Sequence, residues 1–358
     1  MRSIRLRLRR FFRNSKARVL ILVNTEAQDP NFIYFTRFMS GVFEYDFLVV
    51  KRNSIKLFTS GLEYDTAMAQ KFPEMKVIKI ATRTELVRKL HSEVKRKAVC
   101  LNYSFLPVSY YNFLKKEIKI GKDIDATRAL TATRVVKEPD EIQDIVEAVK
   151  TVKYTMSKIM EFAKEGMTEK QLAAIFNNMM MEHGAQEPAF KTNVSFGRNS
   201  AFPHHFPDNT RLRKNNIVLI DAGAKCKNYC SDITRTFIFK PDKKSASYKR
   251  VIAMIDVVKK AQRSAMALMK EGTVGKEVHL AAEKTINEAD RGIYNGRFTH
   301  GVSHSIGIED HDSGLSISQV VLKRGMVFSC EPGIYLPGFG GVRIEDDVLI
   351  TGNGHRVL

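Results

Sequence analysis

Two acidic residues near the middle of the chain stand where a purely structural role would be costly. Asp221 ends the apolar run from Ile217 to Ile220, and Asp232 follows eleven residues later, after a turn, on a second segment that reads as a strand. Burying a carboxylate costs several kcal/mol unless a cation or hydrogen-bond donors compensate it. Two such carboxylates on one hairpin therefore need partners from elsewhere in the chain.

The same arrangement recurs further along the chain. Asp221 aligns with Glu331 at an offset of 110 residues, and Glu345 follows Glu331 after fourteen residues, much as Asp232 follows Asp221. Each half reads as helix, helix, strand, strand. Two similar halves that face each other would bring four carboxylates together about a pseudo-two-fold axis. The matching segments are 212–223 (LRK…DAG) and 322–333 (LKR…EPG).

Four carboxylates at one point repel one another and take up protons unless cations neutralise them. Two divalent ions match about four negative charges, and sites with two metal ions are typical of hydrolytic enzymes. Histidine is concentrated near the same segments, since five of the nine histidines stand at positions 204, 205, 300, 304 and 311. We therefore predict a hydrolytic site with two metal ions.

The composition is globular, with an uneven positive charge. The 358 residues carry a net charge of +19; residues 1–126 hold 25 Lys and Arg against 12 Asp and Glu, or +13, and the remainder 33 against 27, or +6. The first eighteen residues have no acid, which indicates an arm for an anionic surface or, as we favour, a solvated or frayed terminus. The basic residues there are Arg2, Arg5, Arg7, Arg9, Arg10, Arg13, Lys16 and Arg18.

Nothing in the sequence points to a membrane or to secretion. No apolar run reaches the roughly 18 residues of a membrane span. The apolar run at Val19–Val23 is cut off by Asn24 and Glu26, which favours a buried strand over a signal peptide. The four cysteines make no disulfide framework. We expect a cytoplasmic protein with no membrane partner, and nucleic acid is not favoured as a partner.

Two domains are predicted. Strands at 18–24, 46–50, 56–59 and 98–101 alternate with helices at 31–39, 66–71, 84–94 and 108–114, which is typical of an α/β domain. A long amphipathic helix then begins near Pro139 and runs to about Ala163. We place the boundary near residue 127, which gives an N-terminal α/β domain over 1–126 and a catalytic domain over 127–358.

Several separated motifs carry a resemblance to a known family. PHH…VLIDAGA…YCSDITRTF, HGVSHSIGIEDH, EPGIY and GGVRIED resemble the metallopeptidases of the Xaa-Pro dipeptidase (prolidase) and aminopeptidase P group, relatives of methionine aminopeptidase and creatinase. The resemblance covers residues 127–358 and, more weakly, 29–36. It implies an α+β pita-bread catalytic domain with an internal pseudo-two-fold repeat, preceded by an α/β domain.

The resemblance also implies a ligand set for two divalent metal ions. Asp232 and Glu345 would each bridge the ions. Asp221 would complete the coordination of one ion, and His304 and Glu331 that of the other. Carboxylates with one imidazole suit Mn or Co, with Zn or Fe(II) as alternatives.

The resemblance further implies a mechanism. A hydroxide bridging the two metal ions would attack the scissile carbonyl, with Glu331 as the general base. His204 and His311 would contact the substrate, and a histidine would help to stabilise the oxyanion. His300 could lie near the site or be structural, and we favour the structural interpretation.

The role of Arg343 stays open. It lies two residues before Glu345, on the same face of a predicted strand. Its guanidinium could hold the C-terminal carboxylate of a peptide through a bidentate pair, or it could be the partner of a metal-bound acid. Ser303 and Asp312 replace the family's usual Gly and Glu beside the histidines, which could alter the geometry around the metal ions.

The leading interpretation is metal-dependent hydrolysis of Xaa-Pro bonds in dipeptides, with a small peptide as the partner. The close alternative is an aminopeptidase P that acts on longer peptides, because the N-terminal domain decides how the cleft closes. A non-catalytic binding protein on the same scaffold is disfavoured, since all five ligands are present. Creatinase lacks the metal-binding acids, and methionine aminopeptidase does not need such an N-terminal domain. The resemblance also implies a homodimer.

Overall fold

A computed structural model describes residues 2–358, with side chains from Ile4 onwards. The chain forms two compact units, the first ending at Arg134 and the second comprising Val135–Leu358. The domain limits 1–126 and 127–358 drawn from the sequence stay a prediction. In the described part of the chain, no helix is long and apolar enough to cross a lipid bilayer.

The first unit is built on a mixed six-stranded sheet with the order β4-β3-β2-β1-β5-β6. All four predicted strands and all four predicted helices are confirmed, while β4 and β6 were missed. The strands are β1 Val19–Val23, β2 Phe47–Lys51, β3 Ser54–Thr59, β4 Met75–Lys79, β5 Val99–Leu101 and β6 Asp123–Asp125; the helices are α1 Arg2–Asn14, α2 Pro30–Thr36, α3 Tyr64–Gln70, α4 Arg83–Val94, α5 Val108–Lys116 and α6 Thr127–Arg134.

The N-terminal segment is a packed helix, so the favoured interpretation, a solvated or frayed terminus, is wrong. Helix α1 buries Leu8 and Phe11 fully, because apolar residues recur every three or four positions among the arginines. Arg7 is buried as well: Nη1 donates to Tyr34 O at 2.7 Å, and the guanidinium lies 4.4 Å from the centre of the Tyr34 ring. The side chain of Arg2 lies outside the described residues.

The second unit consists of two halves with the same plan, which confirms the predicted repeat. In each half a pair of helices precedes the strands that carry the acids. The first half contains α7 Pro139–Phe162, α8 Glu169–Glu182, β7 Glu187–Pro188, β8 Asn193–Phe196, β9 Ile217–Ala222, β10 Ala224–Cys226, β11 Tyr229–Cys230 and β12 Ile233–Ile238; the second contains α9 Ala246–Ala267, α10 Gly275–Asn287, β13 Val327–Cys330, β14 Gly333–Leu336, β15 Gly340–Arg343, β16 Asp346–Thr351 and β17 Gly354–Val357.

The strands of the second unit form small sheets with the orders β12-β9-β8, β11-β10-β7, β13-β16-β17 and β14-β15. A hydrophobic core under α9 and α10 includes Met254, Val258, Phe328 and Val342. Because this core holds the strands in place, acidic residues at the strand ends can be kept in fixed positions. All four cysteines are buried free thiols, as predicted.

Local signals fix where the helices of the second unit begin. Helix α7 starts at Pro139, as predicted. A capping box opens α8: Thr168 Oγ1 accepts from Gln171 N at 3.2 Å, and Gln171 Oε1 accepts from Thr168 N at 2.8 Å. Helix α8 therefore begins at Glu169, and the side chain of Glu169 binds the segment around His204, as described below.

Candidate metal centre and active site

The first pair of acids lies at one end of the hairpin formed by β9 and β12. Asp221 is on β9, opposite Thr234 of β12 and Asn193 of β8. Strand β12 begins directly after Asp232. The apolar residues of β9 are buried, so packing fixes the register of the hairpin, and the register fixes where both carboxylates lie.

The second pair comes from the matching half. Glu331 directly follows β13, and Glu345 lies in the short link between β15 and β16. Hydrogen bonds join the two halves here: Glu345 N donates to Thr234 O at 3.1 Å, and Asp232 N donates to Asp347 Oδ2 at 3.0 Å. The four acids therefore meet where the halves touch.

His304 lies among these acids. Its Nε2 is 3.5 Å from Asp232 Oδ2 and 3.3 Å from Glu331 Oε1. One ligand atom each of Asp232, His304 and Glu345 lie within 4.8 Å of one another. Nδ1 of His304 lies 3.0 Å from Asp310 O. Donation to that carbonyl leaves the Nε2 lone pair facing the acids, as a metal-binding imidazole requires.

The carboxylate oxygens are arranged for cations. Asp221 Oδ1, Asp232 Oδ1 and Glu345 Oε1 are buried and have no hydrogen-bond partner. Burial, and after it the charges of the neighbouring acids, raises the pKa of Asp232 and of Glu345 well above the usual range. Buried polar atoms are nearly always paired, so three orphaned oxygens in one place fit divalent cations.

Arg343 is held by three protein groups. Nη2 donates to Asp221 Oδ2 at 2.6 Å, Nε to Thr234 Oγ1 at 3.1 Å and Nη1 to Tyr335 OH at 2.8 Å. The Thr234 hydroxyl donates in turn to Glu345 Oε2 at 2.6 Å. Arg343 thus contacts Asp221 directly and Glu345 through Thr234. Its side chain is only 3% exposed.

His300 closes the same network. Its Nε2 lies 2.7 Å from Tyr335 OH, and its Nδ1 lies 2.9 Å from Gly301 O. Burial lowers the pKa of His300 and raises that of Tyr335 to about 12, so both side chains are neutral at neutral pH. His300 therefore lies in the wall of the site, and the sequence had given no sign of its bond to Tyr335.

His204 and His311 line the same cavity as the acids. The rings of His304 and His311 stack, with centroids 3.7 Å apart and planes 9° apart. Burial, and then His304, lowers the pKa of His311. One cavity of about 540 Å³ contains the four acids and the imidazole of the predicted ligand set. It is also lined by His204, His311, His300, Arg343, Phe190, Lys191 and Phe206.

Buried polar residues that the sequence analysis missed fix the loops carrying His204 and His311. Glu169 accepts hydrogen bonds from Phe196 N at 2.6 Å, from Asn199 Nδ2 at 3.0 Å and from Asp208 N at 3.0 Å. These donors lie on both sides of His204. The signal available in the sequence was an acid at the first position of α8, which alone predicts only a favourable helix start.

The loop around His311 is fixed in a similar way. Lys137 Nζ lies 3.2 Å from Asp312 Oδ2 and 3.1 Å from Ser305 Oγ. The side chains of Lys137 and Asp312 are 1% and 2% exposed, so this is a buried ion pair. A Cβ on Gly307 would lie 2.5 Å from the Asp312 carboxylate. The acid at position 312 therefore packs tightly under the loop that follows His304.

Comparisons with known proteins agree with this geometry. The family model of the M24 metallopeptidases matches residues 143–352, and that of the creatinase/prolidase N-terminal domain matches residues 5–136. A Xaa-Pro dipeptidase of Pyrococcus furiosus is 34% identical, over 87% of this chain and 86% of the relative.

Solved structures extend the similarity to the whole chain. A Xaa-Pro dipeptidase from Bacillus anthracis superposes with a TM-score of 0.87 at 27% identity, covering 99% of this chain and 96% of the other. An X-Pro aminopeptidase from Thermotoga maritima gives 0.87 at 28% identity, covering 97% of each chain. The predicted fold class, an α/β domain followed by a pita-bread domain, is confirmed.

Proposed function

The chain belongs to metallopeptidase family M24, and on that premise we propose that it hydrolyses Xaa-Pro peptide bonds, dipeptides above all. The observation that carries the proposal is the set of four acids and one imidazole in a single cavity, with three buried carboxylate oxygens left unpaired. The Xaa-Pro dipeptidase activity named for the Pyrococcus furiosus relative supports the substrate class.

The metal ligands proposed are the same five side chains. Asp221, Asp232, His304, Glu331 and Glu345 would hold two divalent cations, with Mn or Co favoured and Zn or Fe(II) as alternatives. When bound, such ions supply a water that ionises near neutral pH and a Lewis acid for the scissile carbonyl.

Glu331 is the proposed general base. Its Oε1 lies 3.3 Å from Ser329 Oγ, a contact that orients the carboxylate, and 3.3 Å from His304 Nε2. The carboxylate takes a proton from the attacking water and passes it to the proline nitrogen as the C–N bond breaks. His204 and His311 are the proposed substrate contacts, since both line the cavity, and a histidine donor would stabilise the oxyanion.

Arg343 is proposed to position Asp221. Its three contacts use Nε and both Nη atoms, which supports a role as partner of a metal-binding acid rather than as the receptor for a substrate carboxylate. The Tyr335 hydroxyl would serve the same purpose, because it joins Arg343 to His300.

An aminopeptidase acting on longer Xaa-Pro peptides is the second candidate, because the structure named as an X-Pro aminopeptidase superposes as well as the dipeptidase does. A homodimer and a cytoplasmic location remain predictions from the resemblance and from the sequence.

Leucine release from Leu-Pro, Leu-Pro-Gly and Leu-Gly-Pro, after loading with Mn, Co or Zn, tests these assignments. The proposal expects hydrolysis of Leu-Pro at the highest kcat/KM, with slower release of leucine from Leu-Pro-Gly and none from Leu-Gly-Pro. Faster cleavage of Leu-Pro-Gly would identify the aminopeptidase. Failure to cleave either Leu-Pro substrate with any of the metals would overturn the assignment to Xaa-Pro bonds.

A further inference from the structure

A dipeptide brings a free carboxylate into the cavity, and the residue that would receive it has to be positively charged. The C-terminal carboxyl carbon of Xaa-Pro is three bonds from the scissile carbonyl carbon, within about 4 Å of it. That carboxylate therefore comes close to the acids of the metal centre. The metal ions would neutralise those acids, but the substrate carboxylate would still lose its water on entering the cavity, and a cation on the cavity wall would offset that cost.

Arg343 is unsuited to this task. Its Nη2 is committed to Asp221, its Nη1 to Tyr335 and its Nε to Thr234, and its side chain is 3% exposed. A substrate carboxylate would have to displace the Asp221 contact to reach the guanidinium.

Lys191 has a different environment. Its side chain is exposed, it lines the cavity, and its Nζ lies 4.0 Å from the centre of the Phe206 ring. Among the described residues, no acidic side chain forms an ion pair with it. A lysine ammonium is fully charged at neutral pH. The Phe206 ring holds it without neutralising it, as a cation–π contact does.

The backbone places Lys191 within reach of the reacting bond. Asn193 on β8 pairs with Asp221 in the register of the sheet, and Lys191 precedes Asn193 by two residues. Two residues of chain span at most about 7 Å, and a lysine side chain extends about as far. The ammonium can therefore approach the carboxylate of a dipeptide whose scissile carbonyl lies at the acids.

We propose that Lys191 binds the C-terminal carboxylate of the dipeptide and so selects dipeptides over longer peptides. The proposal rests on the Xaa-Pro activity proposed above and names the residue that would set its preference. In a longer peptide the proline carboxyl is an amide, which offers no charge to Lys191.

The test compares Leu-Pro with Leu-Pro-amide, which differ only in that charge. Wild-type enzyme is expected to prefer the acid, by kcat/KM, about 10- to 100-fold, as for a hydrogen bond to a charged group. Lys191→Met is expected to bring this ratio close to one, mainly through KM for Leu-Pro, while Lys191→Arg retains most of it. The matched control is Lys240→Met, an exposed lysine 5.1 Å from the Phe239 ring, outside the residues that line the cavity.

The outcomes separate the two proposals. A ratio in Lys191→Met equal to that of the wild type, or a wild-type enzyme without preference for the acid, overturns the role of Lys191 while leaving Xaa-Pro hydrolysis in place. If the wild-type enzyme cleaves neither compound, the Xaa-Pro activity fails, and the role of Lys191 fails with it.

Discussion

Glu169 accepts a hydrogen bond from Nε2 of His205 at a distance of 2.7 Å, and the Glu169 side chain is fully buried. His205 is the neighbour of His204, which lines the cavity. The carboxylate at the start of α8 therefore fixes the backbone on which the proposed substrate contact stands. Buried networks of this kind restrict a loop to one conformation when every member is satisfied.

Glu169→Gln is expected to lower kcat/KM at least tenfold, because the amide nitrogen would face donors that the carboxylate now satisfies. Each unmade buried hydrogen bond costs about 1–3 kcal/mol. Steady-state kinetics, with metal content as a check, would measure the effect; Glu182→Gln at the exposed end of the same helix is the control. The effects of Glu169→Gln and His205→Ala should be non-additive in a double-mutant cycle. Additive losses would show that Glu169 does not act through His205.

Lys137→Met is expected to destabilise the second unit by about 3–5 kcal/mol, because it leaves the buried Asp312 without its cation. Urea denaturation would measure the loss. Adding Asp312→Leu should recover much of it, since the buried charge is removed as well. Lys158→Met, which breaks an exposed pair with Glu161, should cost no more than about 1 kcal/mol. A similar small cost for both lysine variants would contradict the buried-pair interpretation.

Asp232→Ala is expected to lose bound metal, because one of the three orphaned oxygens disappears with it. Elemental analysis after loading with Mn and dialysis would count the ions per chain. Asp256→Ala, an exposed acid on α9, should leave the count unchanged. Two ions retained by Asp232→Ala would rule out its bridging role.

Glu331→Gln is expected to keep its metal ions and lose turnover by about 10²–10⁴-fold, the range usual for a general base. The amide keeps the size and an oxygen ligand but cannot take a proton. Parallel measurements of metal content and of kcat on Leu-Pro separate the two functions. Normal turnover in this variant would refute the assignment of Glu331 as the base.

The stability of the first unit is expected to depend on pH because of the buried carboxyl group of Asp46. Burial, with an added contribution from the charge of Glu63, raises the pKa of Asp46 to about 7. The folded state therefore binds a proton that the unfolded state releases near pH 4, so stability falls as pH rises from about 4 to about 7. The loss is at most about 4 kcal/mol. Asp46→Asn should raise the melting temperature more at pH 8 than at pH 5. An equal effect at the two pH values would contradict this.

The meeting of the four acids in one cavity could be predicted from sequence because the chain repeats its own pattern. Asp221 and Glu331 each follow an apolar segment, and the offset of 110 residues aligns the two. The helix starts at Pro139 and Thr168 are likewise encoded within four residues. The residues that form these helix starts are thus neighbours in the sequence as well as in the fold.

The contacts that position the site could not be read in the same way. Arg343 reaches Asp221 across 122 residues, and Glu169 reaches His205 across 36. Such pairs depend on how strands and loops pack, which no local pattern specifies. In α1 the missed signal was local: counting the arginines hid the apolar positions between them, which form a buried helix face.

The division of the acids between the two halves also sets when the centre can form during folding. Along the chain, Asp221 and Asp232 precede α9 and α10, and Glu331 and Glu345 follow these helices. Helices and the β9–β12 hairpin can form from neighbouring residues, whereas the meeting of the halves requires closure of a loop of about 100 residues. Metal uptake during refolding should therefore lag behind the recovery of helical signal, and a chain stalled before this closure would hold its secondary structure without a catalytic centre.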